Sequence, residues 1–235
     1  MDFALFSLDG VLFLLRWFHF FFGVIWIGHL YYFNFTQMSV FGKADAATKS
    51  TVIRNIVPEA LWWFRWGAMF TMFTGLLILG ARGHRDGFGL FATSWGAAIL
   101  IGTVLGLLMW ANVWFVIWPK QKIVMASANQ VASGGQALPN AADAGARATL
   151  ASRTNTLFSI PMLFFMGAAS HLPLQVGPEA KFGGLALIVA IIVGALEGNA
   201  LVGKKLGPIA SVKGVVHMGF VLTLVLYVVT ELMLK

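Results

Sequence analysis

Cysteine is absent from all 235 residues. This excludes disulfides, thiolate metal centres and covalently attached haem of the CxxCH kind, and leaves histidine and methionine as the ligands for any iron. Charge is almost as scarce, at 11% of residues, while 59% are hydrophobic and the mean hydropathy is +0.82. No water-exposed surface tolerates that balance, so the chain reads as an integral membrane protein. Basic residues are also missing from the start, MDFALFSLDG. A signal peptide needs them there, and no small-residue cleavage site follows, so the first apolar helix is expected to be retained. The net charge of +7 belongs to loops between apolar runs, where lysine and arginine mark the cytoplasmic face; no nucleic-acid partner is expected.

What is present is a series of apolar windows. Six reach the roughly 20 residues needed to cross a bilayer, at about 10–36, 58–81, 91–118, 153–173, 182–203 and 211–234. The expected fold is therefore all-α: one integral membrane domain over 1–235, a polytopic helix bundle with about six transmembrane helices and short interfacial ones. The polar stretch before Pro58 predicts an interfacial helix that ends there, because the residue before proline is pushed out of helical geometry. The connector 119–152, with Gly134, Gly135 and Pro139 at its centre, predicts two helical pieces broken at that point, the second running into the fourth crossing. Pro161 is expected to kink that crossing. Ten lysines and arginines lie in the loops after crossings one, three and five, against four on the other side. The odd loops are thus expected in the cytoplasm and both termini in the periplasm.

Ionisable residues inside crossings are functional candidates by default. At 1.5 Å per residue, His29, His217, Glu197, Asn112 and Arg65 all fall about 6–10 Å to the cytoplasmic side of the midplane. A second group, His19, His171 and Arg16, falls on the other side. His29 and His217, on the first and last crossings at matching depth, suggest shared ligation of a non-covalent b-type haem iron. Arg65 and Lys213 would meet the propionates, Trp26 would form a wall, and Gly28, Gly214 and Gly219 would let the macrocycle approach. The weaker group would serve a second haem through His19 and His171. Read without a cofactor, Arg65 pairs with Glu197 and the histidines bond carbonyls. Asn112 and Asn199 are further polar partners, and Arg65 with these two amides has the chemistry to meet a small planar anion.

The runs RWFHFFFGVIWIGHLYYFNF, EALWWFRWGAMFTMFTGLLIL, NVWFVIWPKQK and ASRTNTLFSIPMLFFM resemble the amino-terminal membrane domain of the bacterial cytochrome c-linked urate hydroxylase, the urate oxidase N-terminal family. The pattern in the first helix is also similar to other histidine-bearing membrane redox families. The resemblance implies a bacterial inner-membrane protein passing electrons from a substrate toward cytochrome c or quinone, an oxidoreductase if it is an enzyme. It also implies a cytochrome c domain, for which this sequence has no cysteine. A separate cytochrome subunit, or recruitment to another complex, is the expectation. The alternative function is a non-catalytic accessory or assembly subunit of a larger respiratory or photosynthetic membrane complex. A proton- or metabolite-coupled carrier built on Glu197, His217 and Lys213 comes third, because no inverted repeat is visible.

Overall fold

The computed structural model describes residues 3–235. Among these there are seven helices of eight or more residues and no strand: α1 (Leu8–Phe41), α2 (Ala46–Asn55), α3 (Val57–Asp86), α4 (Ser94–Ala132), α5 (Ala141–His171), α6 (Phe182–Val202) and α7 (Val212–Leu234). The protein is an all-α helical bundle. Five of these, α1, α3, α4, α6 and α7, are long and apolar enough to cross a membrane.

The helices begin where short polar side chains can take the first unpaired N–H groups. Ser7 accepts from Gly10 ahead of α1, Asp45 from Thr48 ahead of α2, Thr93 from Gly96 ahead of α4 and Ser211 from Gly214 ahead of α7. Pro58 sits in the first turn of α3, where a missing N–H does no harm. α2 is the expected interfacial helix and ends just before it.

The fourth expected crossing is α5, and it differs in character from the other five. Its middle carries Arg153, Thr154, Asn155, Thr156 and Ser159, all buried. That polarity is possible because α5 is the central helix: α4, α6, α7 and the C-terminal part of α1 pack around it, so its surface faces protein. α1 packs chiefly on α3, and α7 on α5.

The third crossing runs further than the hydropathy suggests. α4 continues through Pro119 to Ala132 before the chain breaks at Ser133, with Gly134 at φ +85°. Pro119 is tolerated because the turn ahead of it, Asn112–Ile117, is a widened π turn. α1 holds a second π turn at Tyr32–Gln37. Each coincides with an asparagine amide inserted into the backbone ladder. Asn34 Nδ2 donates to the Leu30 carbonyl at 2.9 Å, and Asn155 Nδ2 reaches across from α5 to the Met109 carbonyl at 2.9 Å.

Candidate functional site

The residues proposed to share one haem are dispersed over the fold. His29 faces a groove between α1 and the α2–α3 corner, about 720 Å³ in volume and lined by Ile25, Gly28, Tyr32, Asn55, Glu59 and Trp63 among others. His217 is exposed on the outer face of α7. α1 and α7 are not packed on one another, so matched depth does not become a shared site. Depth follows from rise along a helix, whereas a pair also needs neighbouring helices and facing azimuths. Gly219, beside His217, is not open to a macrocycle either, because a Cβ there would run into Ile160 of α5.

Arg65 and Glu197 do not pair. The Arg65 guanidinium lies over the rings of Trp118, Trp114 and Trp66, at 4.1, 5.1 and 5.6 Å from their centroids. The aromatic faces answer a half-buried cation that lacks a carboxylate. Lys213 is exposed at the start of α7, and Trp26 is buried with its Nε1 unpartnered. In the second group, His19 Nδ1 lies 3.2 Å from Thr74 Oγ1, and the ring packs on Gly75 of α3. His171 is exposed at the end of α5 and Arg16 is exposed on α1, so the structure brings no two of that group together. Asn199 closes the end of α6 by donating to the Lys205 carbonyl at 3.0 Å.

What the fold does bring together is a buried polar stripe on α5. Ser152, Asn155 and Ser159 fall at i, i+3 and i+7, one face of a helix, and that face meets α1 and α4. Asn34 Nδ2 donates to Ser152 Oγ at 2.8 Å, and Tyr31 Oη and Ser159 Oγ share a hydrogen bond of 2.9 Å. Asn112 Nδ2 donates to Asn155 Oδ1 and to Glu197 Oε2, both at 3.0 Å. Asn34 and Asn155 are fully buried, Asn112 is 1% exposed and Glu197 7% exposed. Two of the members, Asn112 and Glu197, were among the sequence candidates. Asn155, Asn34, Tyr31, Ser152 and Ser159 were not, although polar residues at helical spacing within an apolar run are the signal that would have found them.

This stripe is not closed. Asn34 Oδ1 and Asn112 Oδ1 are buried without a donor, as is Gln37 Oε1 at the end of the same π turn. Buried acceptors left open in a bundle are uncommon and mark places where a proton, water or ligand completes the bonding. π turns inside α-helices recur at functional sites for the same reason, since they free backbone groups and re-aim side chains. Among the described residues no group of three or more His, Asp or Glu could hold a metal ion.

The family model for the urate oxidase N-terminal domain matches residues 88–230. The chain belongs to that family. The match runs from the turn before α4 nearly to the end of α7, so it contains Asn112, Asn155 and Glu197, and it leaves α1–α3 outside. No curated protein and no solved structure matches the chain.

The residues fit a b-type haem only in part. His29 has the right chemistry on its own. Its Nδ1 donates to the Ile25 carbonyl at 2.7 Å, which leaves Nε2 as the free lone pair, and Trp63 and Tyr32 wall the groove it faces. His217 is held the same way by the Lys213 carbonyl at 2.7 Å but faces outward. The cations assigned to the propionates, Arg65 and Lys213, are not in the groove lining, whose polar residues besides His29 are Tyr32, Asn55 and Glu59. One imidazole fits; the bis-histidine set within one chain does not assemble.

Proposed function

We propose that the protein is the membrane redox domain of a urate-hydroxylase-type system, set in a bacterial inner membrane with both termini periplasmic, passing electrons toward a cytochrome c or quinone. The observation that carries this reading is the family match over α4–α7, the helices that hold most of the buried polar stripe. On this reading Glu197 is the group that carries a proton inside the bundle, because it is a buried carboxyl with no cation beside it and one amide donor, Asn112. The two asparagines fix its orientation, and the hydroxyls of Ser159 and Tyr31 lie on the same face of α5. A b-type haem is part of the proposal, with His29 rather than the His29 and His217 pair as its protein ligand. When bound it supplies one-electron transfer; the chain holds the His29 tautomer and shields that side of the site with Trp63 and Tyr32.

The reduced-minus-oxidised optical spectrum of protein purified from a haem-replete host tests this. The expected result is a b-type alpha band that His29→Ala abolishes and His217→Ala leaves in place. Loss in both variants would restore a shared ligation, by two copies of the chain. A colourless wild-type protein would sink the haem proposal and favour an accessory, helix-packing subunit of a larger membrane complex.

A further inference from the structure

Arg153 is the only lysine or arginine among the described residues that the fold buries, at 3% exposure. Its Nε and Nη1 are enclosed without a hydrogen-bond partner, and it joins none of the ion pairs among the described residues. A buried guanidinium with no counter-charge is costly, by several kcal/mol in general, so its surroundings decide what it is for.

Arg153 lies on the side of α5 that packs on α7. α5 and α7 run parallel, with Ile160 against Gly219 and Phe164 against Tyr227, whose ring centroids are 5.8 Å apart. Seven residues is close to two helical turns, so Arg153 lies on the same face as Ile160, level with Val212 by the first of these contacts and with Val216 by the second. Long helical side chains lean toward their own helix N-terminus, which carries the guanidinium toward the first turn of α7 and the turn Gly207–Ala210. There Ser211 Oγ takes the Gly214 N–H and the Ser211 carbonyl takes that of Val215, both at 3.0 Å. The N–H groups of Val212 and Lys213 have no acceptor. The register thus puts a buried cation beside the positive end of a 23-residue helix, and no carboxylate among the described residues pairs with that cation. Exposed Lys204, Lys205 and Lys213 rim the same corner, and the neighbouring Arg147 is committed to the Ala200 carbonyl at 2.9 Å.

We propose that this corner binds a phosphate-type oxyanion, held by Arg153 and the open N–H groups of α7, with the lysines at its rim. Surface lysines alone would be explained by membrane topology; the enclosed guanidinium would not. The chemistry is shared by the headgroup of an anionic phospholipid and by free phosphate.

Thermal unfolding of the full chain in neutral detergent, followed by its own tryptophan fluorescence, separates these sources. Phosphatidylglycerol is expected to raise Tm by about 5 °C at saturation, with phosphatidylcholine giving no such rise. Inorganic phosphate at constant ionic strength assigns the site to a soluble anion if it gives the rise instead. Arg153→Met should abolish the increment, Arg153→Lys should keep part of it, and Lys120→Gln with Lys122→Gln, on the same side of the membrane, should keep it all. The proposal falls if no anion raises Tm, if phosphatidylcholine works equally well, if Arg153→Met keeps the increment, or if the Lys120/Lys122 variant loses it. Should Arg153→Met not fold, Lys204→Gln with Lys205→Gln decides: a reduced increment supports the site and an unchanged one overturns it.

Discussion

In the helices that the family match covers, one buried network joins polar side chains of three helices; in the first helical pair the polar contacts are isolated pairs or stay within a helix. Asn112 of α4 reaches Asn155 of α5 and Glu197 of α6 at once. Between α1 and α3, by contrast, the polar contacts that cross are single pairs, His19 with Thr74 and, at the exposed end, Asp9 with Arg85; His29 bonds a carbonyl of its own helix, Thr71 and Thr74 do so too, and the close approach comes from glycines. Gly67 meets Ile25 and the Trp26 backbone, and Gly75 meets the His19 ring. A network spanning three helices fixes their mutual rotation, whereas a glycine contact fixes only their distance. The difference suggests that α4–α6 carry the arrangement that function depends on, with α1 joining at its inner end through Tyr31 and Asn34.

The largest effect should come from breaking the network at its hub. Asn155→Ala removes one of the two acceptors of the Asn112 amide, which keeps Glu197, and the side-chain donor to the Met109 carbonyl, which keeps the Asn112 backbone N–H; each lost bond leaves a buried polar atom short of one partner, at about 1–3 kcal/mol each before relaxation. A loss of about 2–4 kcal/mol is expected in thermal or denaturant unfolding. A loss below about 0.5 kcal/mol would mean that water already serves these groups. In the first pair, Gly67→Leu should be the matching test. A Cβ there comes within 3.1 Å of the Trp26 backbone nitrogen, so a larger side chain must separate the helices, at about 1–3 kcal/mol. Equal losses in both variants would erase the contrast between the two regions.

The two regions also differ in how far the sequence made them legible. Hydropathy is a one-dimensional signal, and its windows 182–203 and 211–234 coincide with the helices α6 and α7. It counted 153–173 as a crossing like the rest, whereas α5 is not among the five apolar helices, and its polar segment is legible only once the helix is known to be central. The candidate site was read by depth alone, and depth has no azimuth: it put Asn112 and Glu197 at one level, which the fold joins, and His29 and His217 at one level, which the fold keeps apart. Asn155 was passed over because it opens an apolar window, where polarity is ordinary. The spacing of Ser152, Asn155 and Ser159 held the azimuthal information. The π turns were not legible, since each arises from an asparagine amide competing for a carbonyl, in one case from another helix.

Arg65 and Glu197 sharpen the comparison, since one lies in each region. With the guanidinium over three tryptophans and the carboxyl on Asn112, the two share no partner. Arg65→Gln should cost about 1 kcal/mol through the lost cation–π contacts. Glu197→Gln should be nearly neutral in stability, because the new amide oxygen still accepts from Asn112. Combined, the losses should add to within about 0.5 kcal/mol. A coupling above about 1 kcal/mol would show that the two charges meet after all.

The smallest effect lies between the regions, at the interfacial helix α2 that joins α1 to α3. The Asp45 carboxylate accepts from the Thr48 backbone N–H at 2.8 Å and from its hydroxyl at 3.0 Å, and these bonds hold its pKa below the ordinary carboxylate value. A group with a depressed folded-state pKa adds its stability above the unfolded pKa and loses it as pH falls through the folded one. Backbone amide exchange in Ala46–Asn55, corrected for intrinsic rate, should therefore be slow at neutral pH and speed up on acidification below the ordinary aspartate range. Asp45→Ala should show fast exchange at both pH values, while amides of α4 and α5 stay unchanged. Acid-induced loosening that reached α5 as well would mean that the connecting helix and the polar stripe open together, and that the two regions are less independent than their bonding implies.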